Sequence, residues 1–524
     1  MTPDTTKIAA GATTDLPPAP AQAVIAIAHT GDYRKDALID QLGYRWNRDN
    51  PVGTAVTVTF SFGASAPSYG NAEDANGFAV FSVEQMQATR DIFARLSTEI
   101  GISFTEVADT GATYGQIRLG NNLQSDSSGY AYLPFSSGAD GDGDIYISTA
   151  NTDALTAGSV NYATLVHEIG HAIGLNHPGN YNAGEPSTPN ATGNFLGQAE
   201  DSLAYSVMSY REVTQGQQRD WFGLYDMLTL QYLYGARQNN AGDNVYALTN
   251  DAGAVLTNLI DGGGSDRINL NAVTIAASVD LREGAFSSIG TVSPGVAAVN
   301  NFSIGFGTQI ENVTGTALTD TLTGNDLRNS IRGLGGNDVI TGAGGVDVSE
   351  YTGARGNYAI SSGATGRTIA DSVAERDGTD TLSSIERLQF SDGVLAFDNL
   401  RTDKAGRGYL IYRAAFDRVP DLSGLGYWIR ELDRGQDYGA VVAASFIASS
   451  EFIALNGSNT SNAQYVNLLY QNVLHRAGEA SGVAYWLSEL NNGGARSNML
   501  ASFAISDENY AAVSPLISDG IFFV

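Results

Sequence analysis

The chain contains no cysteine, which excludes disulfides, thiolate nucleophiles and cysteine-ligated metal together. Basic residues are scarce: 28 Lys and Arg stand against 56 Asp and Glu, a formal net charge of −28 over 524 residues, with no extended basic block. Such a surface is a poor partner for nucleic acid or anionic membrane. Long apolar runs are missing too. The apolar patch at residues 23–28 follows prolines and lacks a basic leader, so it reads neither as a cleavable signal peptide nor as a membrane span. An exported form would leave by another route. Histidine is rare, with only His29, His167, His171, His177 and His475, so its placement carries information.

What remains is a globular composition, 43% apolar and 16% charged, thinned by 61 glycines, and long enough for about three domains. Residues 1–30, with Pro-Pro-Ala-Pro at 17–20, read as a poorly ordered leader or propeptide. Beyond it, Val56–Phe62 (VTVTFSF) has strand character, as do residues 102–107 and 116–119, while residues 82–99 show a helical pattern with Ser82 as its N-cap. Two more helices are expected, over 159–175 and over Leu224–Tyr234. From about Asp261 the texture changes to Gly, Asp, Asn and Thr with short aliphatic punctuation, which argues for turns and short strands. After about Asp398 it changes again, to Ala-rich amphipathic helices.

Residues 167–177 read HEIGHAIGLNH, which is H-E-x-x-H-x-x-G-x-x-H without a mismatch. On a helix His167 and His171 lie one turn apart on the same face, so both imidazoles can reach one ion. Gly174 can take the left-handed conformation that ends a helix and so bring His177 round to the same point. Three neutral imidazoles suit zinc with one position left open, whereas structural zinc favours four protein ligands and usually cysteine. Glu168, beside the first ligand, is placed to take a proton from a zinc-activated water attacking a carbonyl.

This motif resembles that of the metzincins, and Ser206-Val207-Met208-Ser209-Tyr210 resembles their Met-turn. The resemblance narrows to the serralysins through His177-Pro178-Gly179, Tyr181-Asn182-Ala183-Gly184, Ala199-Glu200-Asp201, residues 226–235 and residues 129–147, and it covers about residues 40–350. It implies that Met208 underlies the zinc ligands. It also implies that Tyr210 ligates zinc at rest and swings to hydrogen-bond the tetrahedral intermediate. Residues 129–147 fall in the region of that family's edge strand, to which an extended protein or peptide substrate could add by main-chain bonds.

Between Gly315 and Glu350 four nine-residue frames follow one another: GTALTDTLT, GNDLRNSIR, GLGGNDVIT and GAGGVDVSE. Their sixth positions hold Asp320, Asn329, Asp338 and Asp347, and their eighth positions Leu322, Ile331, Ile340 and Ser349. Glycines permit tight loops, aspartates can bind calcium between turns, and the aliphatic residues fill a core, which together are the signature of a parallel β-roll. Asp266, in the similar unit DGGGSDRIN, belongs to the same set. With loops two frames apart facing each other, Asp320 should pair with Asp338 and Asn329 with Asp347. The resemblance to RTX proteins implies type I secretion through an uncleaved C-terminal signal. The ending Asp519-Gly520-Ile521-Phe522-Phe523-Val524 fits that signal, and it also fits a buried terminal strand.

The last segment repeats itself, Tyr412/Tyr470, Arg418/Arg476, Gly424/Gly482, Tyr427/Tyr485, Trp428/Trp486 and Leu432/Leu490 matching at an offset of 58. It resembles a module of unknown function found in secreted RTX-type proteins, and its Tyr-Trp pairs read as helix-packing residues. The expected fold is multidomain: a leader over 1–30, an α+β metzincin protease domain over 31–250, a parallel β-roll over 251–400 and a small all-α module over 401–524. The expected function is that of a secreted, extracellular zinc endopeptidase with bound calcium, acting on protein or peptide substrates. The rival is a calcium-dependent surface or matrix-binding protein with a vestigial protease domain, against which the intact Glu168 argues.

Overall fold

The computed structural model describes residues 30–39, 44–134, 140–151, 155–179, 181, 195–364 and 366–524. The leader up to residue 29 and Asn182-Ala183-Gly184 lie outside the described residues. The chain divides into two compact units, one ending at Thr323 and one running from Gly324 to Val524. That division falls inside the segment read from sequence as 251–400. Among the described residues no single helix is long and apolar enough to cross a membrane.

In the first unit the alternating apolar residues of β1 (Val56–Phe62) bury Val58 and Phe60. It pairs in parallel with β2 (Ile102–Glu106) on one side and β3 (Ile117–Asn122) on the other. Parallel β5 (Ile145–Ser148) and antiparallel β4 (Gly129–Ala131) complete the sheet, in the order β2-β1-β3-β5-β4. The crossover from β1 to β2 contains α1 (Val83–Glu99). Its start is fixed by a capping box, Ser82 Oγ accepting from the Gln85 N–H (3.2 Å) while the Gln85 side chain accepts from the Ser82 N–H (2.8 Å). Ile92, Phe93 and Leu96 face the sheet from this helix, with Phe93 stacked on Phe104 at 4.0 Å between centroids.

Helix α2 (Val160–Ala172) starts where Ser159 caps the Tyr162 N–H. It ends three residues short of the expected 175, because Gly174 leaves the helical region at φ +104°. Helix α3 (Leu224–Tyr234) buries Leu224, Met227, Leu230 and Leu233, an all-round burial that marks a core helix.

Short parallel strands follow. In the first unit Val245–Thr249 pairs with Arg267–Ala272, which pairs with Asn312–Thr314, and Ser278–Asp280 pairs with Thr321–Thr323. In the second, Ser330–Arg332 pairs with Val348–Glu350 and that with Arg387–Phe390, while Val339–Thr341 pairs with Thr379–Ser383. Within each unit, successive three-residue strands fall in alternate sheets, as a parallel roll requires, and Leu322, Ile331 and Ile340 are fully buried.

The second unit closes with helices. Leu425, Ile429 and Leu432 form the buried face of the helix Leu422–Asp433. The two sequence copies repeat their clamps: Tyr412 Oη bonds Asp421 and Arg418 pairs with Glu451, while Tyr470 Oη bonds Glu479 and Arg476 pairs with Glu508. Trp428 packs on Phe446 and Trp486 on Phe503, as expected of packing residues, but Tyr427 and Tyr485 are 51% and 58% exposed. At the chain's end Ile521–Phe523 pairs antiparallel with Gly393–Ala396, with Ile521 and Phe523 buried. The ending therefore forms a buried terminal strand.

Candidate metal centre and its cleft

His167 and His171 are buried one turn apart on α2, and the turn at Gly174 delivers His177 between them. A Cβ on Gly174 would lie 2.5 Å from the Tyr44 carbonyl oxygen, so both the positive φ and the close approach require glycine there. His177 Nε2 lies 3.2 Å from His167 Nε2 and 3.1 Å from His171 Nε2. The far side of each helical imidazole is committed, His167 Nδ1 lying 2.8 Å from Val207 O and His171 Nδ1 2.7 Å from Leu175 O. A carbonyl only accepts, so Nδ1 carries the proton on both rings and their Nε2 lone pairs face inward.

Burial pushes the pKa of His167 down to about 4 and that of His171 down to about 3, and carries His177 well below the usual imidazole range. The rings are neutral at pH 7, the state in which imidazole ligates metal. Three such donors with one open position fit zinc. Among the described residues this trio is the one group of three or more His, Asp or Glu side chains whose ligand atoms lie close enough to share an ion.

The surroundings of the trio are built in layers. Met208 is fully buried beneath α2, its Sδ 2.6 Å from where a Cβ on Gly170 would stand. Asp226, in the first turn of α3, accepts from Ser206 Oγ at 2.5 Å, Val207 N at 2.7 Å and Gly223 N at 2.6 Å. Burial raises its pKa. Asp226 thus holds the N–H of Val207, the residue whose carbonyl orients His167, the kind of outer support that tunes a metal site. This role of Asp226 was not read from the sequence, although a glycine followed by an acid three residues on has the spacing of a helix cap.

Tyr210 lies against His177, 4.6 Å between centroids, and against Tyr181 at 4.8 Å. Its N–H donates to Tyr181 Oη, which donates to Asp201, and Asp201 also takes Ser209 Oγ and Arg211 Nε. Tyr181 and Asp201 are therefore supports of Tyr210 to which sequence analysis assigned no role. Glu168 is 2% exposed and lies beside β4: a Cβ on Gly129 would meet its Cγ at 2.9 Å. β4 ends the sheet, and its Gly129 lines a cleft that also reaches His167, Glu168 and Tyr210.

The calcium candidates are arranged differently, in a ladder of acids bonded to the backbone of the adjacent turn. In the first unit Asp320 accepts from Ala277 N (2.7 Å), and Asp266 accepts from Asn244 N (2.7 Å) while its own N–H donates to Glu311 (2.8 Å). In the second, Asp347 accepts from Asn329 N (2.8 Å) and donates its N–H to Glu386 (2.9 Å), and Asp338 N donates to Asp380 (2.9 Å). Asn329 and Asp347 meet as the frame spacing predicts. Asp320 and Asp338 belong to different units, and within its own unit Asp338 meets Asp380.

Asp380, Glu386 and Glu311 are further acids of the ladder, beyond those that the repeat frame picks out. Asp380 and Glu386 keep the acid two residues before an aliphatic, Leu382 and Leu388, which could have found them. Burial, with Asp338 as like-charged neighbour, raises Asp380 to about 8; burial with Glu386 raises Asp347 to about 7; burial with Asp261 and Glu311 raises Asp266 to about 6. Asp347 Oδ2 and Asp266 Oδ2 are buried and accept no hydrogen bond among the described residues.

Comparison with known proteins agrees with this architecture. Residues 225–477 match the family described as Peptidase M10 serralysin C terminal, and residues 443–513 match a domain of unknown function, DUF4214. The chain is 33% identical over 304 residues to Metallopeptidase AprA of Pseudomonas marginalis, covering 52% of this chain and 61% of that one. It is 31% identical over 302 residues to Serralysin C of Dickeya chrysanthemi, covering 53% and 60%. To Serralysin of Proteus mirabilis it is 30% identical over 306 residues, covering 51% and 61%. The chain thus spans about three-fifths of the length of the curated relatives it matches. By these likenesses the chain is serralysin-like.

Proposed function

We propose that the chain is a secreted zinc-dependent endopeptidase. The convergence of three buried, neutral imidazole nitrogens beside Glu168 and the terminal strand β4 carries this reading. His167, His171 and His177 would hold the metal, joined at rest by Tyr210 as in the serralysin pattern, and zinc there supplies Lewis acidity toward water and a peptide carbonyl.

The chain's own groups then do the following. A substrate strand aligns on the outer edge of β4, where main-chain bonds hold it with little regard to side chain. Glu168 takes a proton from the attacking water and returns it to the leaving amine. Tyr210 Oη donates to the carbonyl oxygen as that oxygen gains charge. Asp226 and Asp201 position the two halves of this arrangement.

We also assign calcium to the acidic ladder at Asp266, Asp320, Asp338 and Asp347. Buried, like-charged oxygens support it, and backbone carbonyls would have to complete each shell. Export by a type I system is consistent with this reading. The test is purified protein, calcium-replete, assayed on an unfolded protein substrate after zinc removal and after zinc return. Cleavage that vanishes and comes back with zinc is expected; cleavage that survives zinc removal contradicts the reading.

A further inference from the structure

Besides the reacting groups, the lining of the cleft at His167 and Glu168 includes residues that make a recess of defined chemistry. Its floor is apolar and well buried: Ala163 at 7%, Leu203 at 8% and Val207 at 2% exposure. Its rim carries neutral polar groups from Thr164 and Gln218, and one further charge, the exposed carboxylate of Glu212. No cationic side chain lines it among the described residues. The adjacent Arg211 is paired with Asp201 at 3.1 Å, whereas no hydrogen bond or ion pair engages Glu212 among the described residues.

Resting on the endopeptidase reading, we propose that this recess selects a lysine or arginine side chain next to the scissile bond. A long methylene stem lies along Ala163, Leu203 and Val207 while its cationic end reaches Glu212, the division of surface that lysine and arginine side chains make by nature. An aliphatic side chain fills the floor but leaves Glu212 without a partner. An acidic side chain meets Glu212 and a chain of net charge −28, so it is rejected twice.

The test uses the full chain, zinc-loaded and calcium-replete, on a library of peptides from a digested proteome, with product ends read by mass spectrometry. One position flanking the cut should be enriched in Lys and Arg. A matched peptide pair, Lys against norleucine at that position, should then differ by about twofold to fivefold in kcat/KM for wild type at low salt. The ratio should shrink toward unity in Glu212→Gln, invert toward acidic residues in Glu212→Lys, and fall for wild type as salt is raised. Cleavage without basic enrichment, or enrichment that persists in Glu212→Gln, overturns this proposal and leaves the endopeptidase reading standing. A zinc-loaded wild type that cuts nothing overturns that reading, and the selectivity with it.

Discussion

In the first unit three imidazoles meet with the outer nitrogens of two of them already committed to the Val207 and Leu175 carbonyls. In the second unit Asp347 meets Glu386, and Asp338 meets Asp380, as carboxylates brought together by strand register. The two regions differ in what burial does to their donors. Burial leaves a histidine in its ligating form, so that site can be assembled before the ion arrives. A carboxylate is driven by burial toward its protonated, non-ligating form, so the second kind of site is completed only as the cation replaces the protons. The first ion should therefore govern chemistry, and the second, folding.

The largest effect expected on the first side of this contrast is in His171→Ala. Loss of a ligand should weaken zinc binding by more than about 100-fold, the upper range seen for mere supporting residues, while circular dichroism stays native. Stoichiometric zinc in that variant would break the ligand set. Next comes calcium removal, which should unfold the second unit's roll before the first unit's core, seen as two separated melting transitions with zinc saturating. Asp380→Asn sharpens the point by reversing sign. It should raise the lower transition in chelator, where it removes the cost of burying and protonating a carboxyl beside Asp338, and lower that transition in millimolar calcium. A shift in one direction under both conditions would show the acids to be ordinary turn residues.

Smaller effects test how the first site is built. Gly174→Ala should cost about 2–4 kcal/mol from positive φ and the Tyr44 contact, or roughly 5–10 °C in the first unit's melting temperature. Asp226→Asn should weaken zinc about tenfold by loosening Val207, and unchanged affinity would remove Asp226 from the support. The smallest effect concerns Asp144, a buried carboxyl immediately before β5 that no proposed ion touches. Burial raises it to about 7, against hydrogen bonds from Tyr69 Oη and Arg118 N. Because its folded pKa exceeds the unfolded value, the native state alone holds the proton between about pH 4 and 7. Stability should be greatest at the acid end and fall as pH rises through that window. Asp144→Asn should flatten the first unit's melting temperature over that range by a few degrees; an unaltered slope would show that Asp144 is not its source.

The same contrast explains what could be read from the chain alone. The histidine site was legible because helix geometry fixes positions four residues apart and a glycine turn fixes the third, so local spacing encodes the cluster. The strand Val56–Phe62 and the helix capped by Ser82 were legible for the same reason, since alternation and capping are local. Asp226, Tyr181 and Asp201 were not, because their roles arise from contacts between separate segments and their residue types are ordinary in loops and helix ends. In the roll the repeat frame gave the strands and the Asn329–Asp347 contact. It did not give Asp380 or Glu386: the turn before Asp380 keeps only Gly378 of the frame's glycines and the turn before Glu386 keeps none, so strand register is what aligns them.

The most direct test of the central claim is zinc content and product masses measured together on wild type and Glu168→Gln. The account predicts equal zinc in both proteins, peptide products from wild type, and a rate lower by about 10²–10⁴-fold in the variant, since a proton acceptor is removed and a ligand is not. Equal zinc with activity within tenfold of wild type would contradict it.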